Sequence, residues 1–112
     1  MKQIQAIIRS EKLSEIRRAL IEANILGITV YDVRGKGNQK GLELQFRGRR
    51  YNIDLLPKTK IELMVDDKDI EKVVNILRKT AYTGNVGDGK IMILPLEDVI
   101  RIRTGERGEK AL

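Results

Sequence analysis

The chain has 112 residues, of which 41% are hydrophobic and 34% charged, as in a soluble globular domain large enough to bury a core. It contains no cysteine and no histidine, which excludes disulfides, thiolate catalysis and the commonest zinc ligands. No apolar run approaches the roughly 18 residues of a membrane span, and the stretch "MKQIQAIIR" is too polar for a signal peptide. We therefore expect one cytoplasmic domain, residues 1–112, without direct membrane insertion.

The net charge of +6 is concentrated in one segment. From Arg34 to Lys58 there are seven basic and two acidic residues, a surplus of five, which leaves only +1 for the rest of the chain. A localised positive charge indicates a contact surface for an anionic ligand or partner more than a property of the whole protein.

The first third of the chain predicts a strand, a helix and a second strand. Polar and apolar residues alternate in "MKQIQAIIR", which is the period of a strand. Ser10 is a candidate N-cap for the helix that follows, and Asn24 and Gly27 are typical of its end. Apolar residues at helical spacing predict that helix: Leu13, Ile16, Leu20 and Ala23. The β-branched stretch Ile28–Val33 predicts the second strand.

The second half of the chain predicts the same order of elements again. Thr59–Val65 alternates like a strand, and Asp66 or Asp67 is a candidate cap for a second helix. The apolar positions of that helix are Ile70, Val73, Val74 and Leu77. Lys90–Leu94 predicts a further strand, and Leu96–Ile102 a short extra strand or turn.

This order predicts an α+β fold of the ferredoxin-like βαββαβ type, a four-stranded antiparallel sheet with two helices on one face. Such a sheet has one bare face. Ile7, Met64 and Met92 alternate with the core-facing positions of their strands and therefore belong to that face. A homo-oligomer is the simplest cover for these apolar side chains.

The connection between the second and third strands, about 37–57, is much longer than an ordinary hairpin loop. Within it, "LELQF" and "YNIDL" alternate well enough to predict a marginal hairpin around Arg47 to Arg50. The segment carries most of the net charge and also Phe46 and Tyr51. We expect a mobile effector loop that contacts a partner.

A glycine-rich stretch precedes the last strand. Gly84 to Lys90 matches G-x-x-x-x-G-K, the front of a P-loop, but Ile91 replaces the Ser or Thr that would ligate magnesium. The order is also helix, loop, strand, the reverse of a P-loop. Glycines and a lysine still suit an anion, while Gly-Asp-Gly is equally ordinary turn chemistry, so the stretch alone leaves both interpretations open. Two further basic sites favour phosphate binding: Arg34 to Gly41, and Arg101 with Arg103 at strand spacing.

Other classes of function fit the sequence less well. RNA-recognition domains share this order of elements, but they stack bases on aromatic residues of the central strands, which have none here. A nucleic-acid module would bind in a salt-dependent way through Arg47, Arg49 and Arg50. A phosphate-processing enzyme would have to depend on a lone carboxylate, such as Asp54, Glu62 or Asp88. We expect neither nucleic-acid binding nor catalysis.

Four blocks of the sequence, in order, resemble the PII nitrogen-regulatory signal proteins: "VRGKGNQKG", "LPKTKIELMV", "TAYTGNVGDGKI" and "VIRIRTGERGE". The resemblance covers essentially the whole chain. It implies a homotrimeric, non-enzymatic signal protein with nucleotide sites between neighbouring subunits, in which ATP and ADP compete and 2-oxoglutarate joins magnesium-ATP. It also implies regulation of an ammonium transporter or of nitrogen-metabolism enzymes through the long loop.

The resemblance also implies roles for particular residues. The loop at about 82–90 would hold the phosphates, and the C-terminal arm, about 101–112, would reach them from the next subunit. The implied nucleotide-binding residues are Ile7, Thr29, Gly35, Gly37, Asn38, Gln39, Glu62, Met64, Gly87, Asp88, Gly89, Lys90, Arg101 and Arg103. The implied 2-oxoglutarate-binding residues are Gln39, Lys40, Gly41, Lys58 and Gly87, with Gln39 also a ligand of Mg²⁺.

In the long loop, Arg47 matches the family arginine that enters a transporter pore, and Tyr51 is in register with the tyrosine that is nucleotidylylated in some relatives. The surroundings of Tyr51 depart from the family pattern. Phe46 stands where a tyrosine is usual, and Arg49 and Arg50 stand where small or acidic residues are usual. The resemblance therefore leaves both outcomes open for Tyr51.

Overall fold

A computed structural model of the chain describes residues 1–37 and 55–112, together with the backbone of two strands between them. In chain order the strands and helices are β1 (Lys2–Ile8), α1 (Leu13–Glu22), β2 (Thr29–Gly35), β3 (Leu42–Phe46), β4 (Arg49–Ile53), β5 (Leu56–Val65), α2 (Ile70–Ala81) and β6 (Lys90–Pro95). Short 3₁₀ turns cover Ser10–Lys12, Asp67–Asp69 and Gly108–Ala111.

Four of the strands form one antiparallel sheet in the order β2-β5-β1-β6. The register places Ile7 of β1 between Lys60 of β5 and Lys90 of β6. β3 and β4 pair separately as a hairpin, with Leu44 opposite Tyr51. The predicted ferredoxin-like fold and the predicted hairpin in the long connection are both confirmed.

The core lies between one face of the sheet and the two helices. Ile4 and Ile8 of β1 are almost completely buried, because alternate side chains of a strand point to the same face. They pack in one cluster with Ile16 of α1 and Leu77 of α2, whose spacing along each helix forms an apolar stripe. Burial of each such side chain contributes roughly 1.5–3 kcal/mol, so this cluster supplies most of the free energy that holds helices and sheet together.

The opposite face of the sheet has no helix over it in the described part of the chain. Met64 is 51% exposed there, while Ile7 and Met92 are partly exposed, as their alternation predicts. Polar side chains share this face: Glu62 accepts a hydrogen bond from the Tyr31 hydroxyl at 3.2 Å and one from Gln3 Nε2 at 3.3 Å.

Both predicted helix caps are wrong. A 3₁₀ turn precedes each helix, and in neither case does a side chain bond the free N–H groups of the first helical turn. The Ser10 hydroxyl instead accepts a hydrogen bond from the hydroxyl of buried Thr59, at 2.9 Å. Asp67 instead pairs with the α-amino group of Met1 at 2.8 Å, which lowers the pKa of its carboxyl. At the other end of α1, Asn24 adopts a positive φ of 61°, as its predicted helix-ending role requires.

The chain after β6 forms turns and not the alternative strand. An isolated antiparallel bridge joins Ile100 to Arg107 across a turn at 102–104. The carboxylate of Asp98 holds this turn at its base, since it accepts hydrogen bonds from Arg107 Nε and from the Gly108 N–H. Within the ranges given above, no helix is long and apolar enough to cross a membrane.

Candidate functional site

The glycine-rich loop between α2 and β6 is shaped by positive backbone angles. Gly84, Gly87 and Gly89 have φ values of 88°, 107° and 97°, which glycine adopts without steric cost. At Gly89 a Cβ atom would lie only 1.6 Å from the carbonyl oxygen of Ile7. The loop therefore lies directly against the end of β1, with its backbone exposed to any ligand that approaches.

Asp88 organises this loop through its carboxylate. The Thr83 N–H and the Gly84 N–H donate to Asp88 Oδ2 at 2.8 and 3.0 Å, and the Thr83 hydroxyl donates to Oδ1. Arg9 Nε donates to the same oxygen at 3.0 Å, and Arg9 Nη2 donates to the carbonyl of Val86 at 2.8 Å. The Thr83 hydroxyl and backbone, followed by Arg9, hold the pKa of Asp88 far below its ordinary value. The carboxylate is an ionised brace for the loop.

Lys58 connects the loop to the sheet. Its ammonium group donates to the carbonyl oxygen of Gly87 at 2.8 Å. Partial burial and the nearby Arg9 guanidinium lower the pKa of Lys58, while Glu11 and Asp88 partly offset them. Gly35 lies on the neighbouring strand, where an added Cβ would be 4.0 Å from Lys58 Cγ. The Lys58 ammonium group and the unobstructed backbone at Gly35 thus lie at the end of the sheet where the long connection begins.

Seven of the predicted residues lie at this end of the sheet, and we call them the loop-side group. They are Ile7, Gly35, Lys58, Gly87, Asp88, Gly89 and Lys90. Lys90 begins β6 with an exposed side chain, directly opposite Ile7 in the register. Glycine N–H groups and lysines at one end of a sheet are chemistry that suits an anion. Gly37 follows β2 by two residues and has open space where a Cβ would be added.

A second set of predicted residues lies elsewhere on the sheet. Thr29, Glu62 and Met64 line a cavity of about 670 Å³ between the β2–β5 edge and the C-terminal residues Glu109 and Leu112. We call this set, together with the C-terminal arm, the arm-side group. Lys58 and Met64 are six residues apart on β5, which is about 20 Å of strand. Within one chain the glycine loop and Lys58 are therefore far from Met64 and the arm, while Ile7 lies diagonally across from Glu62.

Arg101 and Arg103 belong to the C-terminal turn and not to a strand, so their predicted strand spacing is wrong. Arg101 donates from Nη1 to Glu106 Oε1 at 3.1 Å and from Nη2 to the Leu112 carbonyl at 3.3 Å. Arg103 is exposed. The turn places both arginines on the C-terminal arm, which borders the cavity lined by Thr29, Glu62 and Met64.

Several predicted residues lie outside the residues whose side chains the structure describes. They are Asn38, Gln39, Lys40 and Gly41 of the proposed ligand site, and Phe46, Arg47, Arg49, Arg50 and Tyr51 of the long connection. Within the described ranges, histidine, cysteine and acidic side chains form no cluster of three able to hold a metal ion.

Sequence reasoning missed Arg9 and Thr83. Arg9 directly follows the buried end of β1, and its partner Asp88 is 79 residues away along the chain, so no local pattern joins them. Thr83 stands five residues before Asp88 in a loop, a spacing with no regular period.

The structure defines a ferredoxin-like α+β domain with a glycine-rich loop, braced by Asp88, at one end of its sheet. The family model described as "Nitrogen regulatory protein P-II" matches residues 1–106. The chain belongs to this family of nitrogen-regulatory signal proteins, as the sequence blocks predicted.

Curated relatives match the chain along its whole length. It is 55% identical to "Nitrogen regulatory protein P-II 2" of Methanothermobacter thermautotrophicus, over 100% of this chain and 97% of that protein. It is 49% identical to "Nitrogen regulatory protein P-II" of Nostoc punctiforme and 47% identical to the protein of that name from Azospirillum brasilense, with full coverage of both chains in each case.

Proposed function

We propose that the chain is a homotrimeric, cytoplasmic signal protein that binds ATP or ADP, senses 2-oxoglutarate together with magnesium-ATP, and regulates nitrogen assimilation. The observation that carries this proposal is the 2.8 Å contact from Lys58 to the Gly87 carbonyl. It joins a cation on the sheet to the glycine loop in a member of the nitrogen-regulatory family. The loop-side group would hold the phosphates, with Lys90 and backbone N–H groups as donors.

The separation of the two groups within one chain supports an oligomer. A nucleotide whose phosphates contact the loop-side group would meet the arm-side group only if a second copy supplied it. We propose that Thr29, Glu62, Met64, Arg101 and Arg103 come from the neighbouring subunit, with Ile7 on the phosphate side. This arrangement also covers the bare face of the sheet, where Met64 and part of Met92 are exposed.

We propose that 2-oxoglutarate binds beside the phosphates through Lys58. A dicarboxylate suits a lysine ammonium group, and Gln39 would provide one ligand to Mg²⁺ while phosphate and 2-oxoglutarate oxygens provide others. The backbone of Gln39, Lys40, Gly41 and Gly87 would complete this site. When bound, the ion supplies charge neutralisation between the two anionic ligands.

The long connection, about 37–57, begins at the loop-side group, since β2 ends at Gly35 and β5 begins at Leu56. We propose that ligands bound there select its conformation and that its tip contacts the regulated protein. The candidate partners are an ammonium transporter, contacted through Arg47, and nitrogen-metabolism enzymes. Tyr51 is the candidate site of modification.

We propose a signalling role and not catalysis because the Asp88 carboxylate braces its own loop by accepting from four donors: the Thr83 N–H and hydroxyl, the Gly84 N–H and Arg9 Nε. A phosphate-release assay on the purified protein with ATP tests this directly. Rapid hydrolysis that is lost in Asp88→Asn or Glu62→Gln would contradict the signalling proposal.

The 2-oxoglutarate site is tested by calorimetry in the presence of magnesium-ATP. We expect Lys58→Ala to abolish 2-oxoglutarate binding, while Lys72→Ala leaves it unchanged. Lys72 is a matched control because it is an exposed lysine on α2, away from the loop. Retention of wild-type affinity in Lys58→Ala would sink this assignment.

A further inference from the structure

The C-terminal turn holds Arg101 in an internal ion pair. Its guanidinium contacts the Glu106 carboxylate at 3.1 Å, and the backbone repeats the pairing, since the Arg101 N–H donates to the Glu106 carbonyl at 2.9 Å. The Gly105 N–H closes the turn on the Arg101 carbonyl at 2.8 Å. Side chain and backbone therefore keep residues 101 and 106 facing each other.

Glu106 is itself held in position for this contact. The Thr104 hydroxyl donates to Glu106 Oε1 at 2.9 Å and accepts from the Glu106 N–H at 3.2 Å. Gly105, with a φ of 73°, provides the sharp reversal that allows both contacts. The carboxylate oxygen that meets Arg101 is thus oriented by two neighbouring residues.

Arg103 provides the internal comparison. It lies two residues further along the same turn and is exposed, and no ion pair joins it to another residue of the described ranges. Of the two arginines on the arm, one is committed to an internal carboxylate and the other is available to an incoming anion.

We propose that Glu106 is a positioning residue that competes with the phosphate groups of a nucleotide for Arg101. This inference depends on the proposed nucleotide site. An anionic ligand that engages Arg101 through Nη1 competes with the Glu106 carboxylate, so Glu106 lowers nucleotide affinity and holds the arm in a self-paired state until a ligand arrives. Arg103 makes the first contact without such a competitor.

The size of the effect follows from the exposure of the pair. Both side chains are about two-fifths exposed, at 39% and 41%, and exposed ion pairs are weak because water screens them. Removal of the competing charge should therefore tighten ATP binding by about 1.5- to 5-fold. A larger gain would require a buried pair.

Calorimetric titration with ATP tests the competition in Glu106→Gln, with Glu97→Gln as the matched control. Both variants remove one negative charge, but Glu97 is exposed and has no partner among the described residues. We expect tighter binding in Glu106→Gln only. In an Arg101→Gln background we expect Glu106→Gln to have no further effect. An equal gain in both single variants, or a gain that persists without Arg101, would overturn the proposal.

A ligand-free measurement separates this inference from the nucleotide proposal. Phenylglyoxal modifies accessible arginines, and peptide mapping by mass spectrometry gives the ratio of modified Arg101 to modified Arg103. We expect Glu106→Gln to raise this ratio by about 1.5- to 5-fold over wild type and Glu97→Gln to leave it unchanged. An unchanged ratio in Glu106→Gln would refute the pairing. Absence of ATP binding in wild type would instead refute the nucleotide proposal.

Discussion

Replacement of Gly89 by alanine should be one of the most disruptive single-atom additions to this chain. The new Cβ would lie 1.6 Å from the Ile7 carbonyl oxygen and must retreat by about 1.4 Å to reach the 3.0 Å below which Cβ contacts essentially do not occur. Neither atom belongs to a flexible side chain. The loop and the end of β1 must therefore separate where Ile7 pairs with Lys90.

Two costs contribute to the expected loss of stability. An alanine at a φ of 97° costs about 1–2 kcal/mol because its Cβ crowds the backbone. Overpacking that shifts backbone costs about 1–3 kcal/mol more. We expect Gly89→Ala to lower the free energy of unfolding by about 2–5 kcal/mol.

Two other glycines separate these costs. Gly105 has a positive φ of 73° but open space around its Cβ position, so Gly105→Ala should show only the backbone cost of about 1–2 kcal/mol. Gly27 has open space and no positive φ, so Gly27→Ala should be neutral or stabilising by up to about 1 kcal/mol.

Urea denaturation followed by circular dichroism, at one fixed chain concentration, gives the three values on a common scale. The expected order of destabilisation is Gly89→Ala, then Gly105→Ala, then Gly27→Ala. If Gly89→Ala cost no more than Gly105→Ala, the close contact between the loop and β1 would be refuted.

Three further perturbations test other parts of the structure. The pKa of Asp88 is lowered in the folded state. The stabilisation of the fold by the Asp88 carboxylate should therefore be complete above the unfolded pKa of about 3.9 and lost as the pH falls toward the folded value. The difference in urea midpoint between wild type and Asp88→Asn should accordingly shrink below about pH 4. Leu77→Ala should cost about 2–5 kcal/mol by the same assay, whereas Leu26→Ala, at a side chain 72% exposed, should cost little. Burial lowers the pKa of Lys58 below 10.5, so the affinity for 2-oxoglutarate should weaken as the pH rises toward that lowered value. In Lys58→Arg the affinity should not weaken over this range, because arginine stays protonated.

Much of the fold follows from side-chain periodicity. Alternation in β1 placed Ile4 and Ile8 on the core face, and the helical spacing of Ile16 and Leu77 placed both helices over them. These patterns are strong because one face of each element is buried and the other is not. The alternation of "LELQF" and "YNIDL" likewise predicted the hairpin of β3 and β4.

Helix starts and the C-terminal turn were harder to predict because several local solutions compete there. Ser10 has a side chain that could cap the helix, but its hydroxyl accepts a hydrogen bond from the buried Thr59 hydroxyl instead. Arg101 and Arg103 have the spacing of a strand, but Gly105 reverses the chain and brings Glu106 to Arg101. In each case a contact specific to the folded chain overrides a local preference.

At the candidate site, the glycine-rich loop could be located from the sequence, but the contacts that brace it could not. Glycine admits positive backbone angles, and Gly84, Gly87 and Gly89 all have them. The contact from Arg9 to Asp88 joins opposite ends of the chain, and only the sheet brings them together. The loop therefore owes its shape to tertiary structure as well as to glycine.

The central claim is that the nucleotide and 2-oxoglutarate sites are coupled, and calorimetry on the wild-type protein at constant magnesium concentration tests it most directly. Titration of 2-oxoglutarate with and without ATP gives one coupling factor, and titration of ATP with and without 2-oxoglutarate gives another. Linkage requires the two factors to be equal. We predict tighter binding in both directions, by the same factor. Affinity for 2-oxoglutarate that is indifferent to ATP would contradict the account.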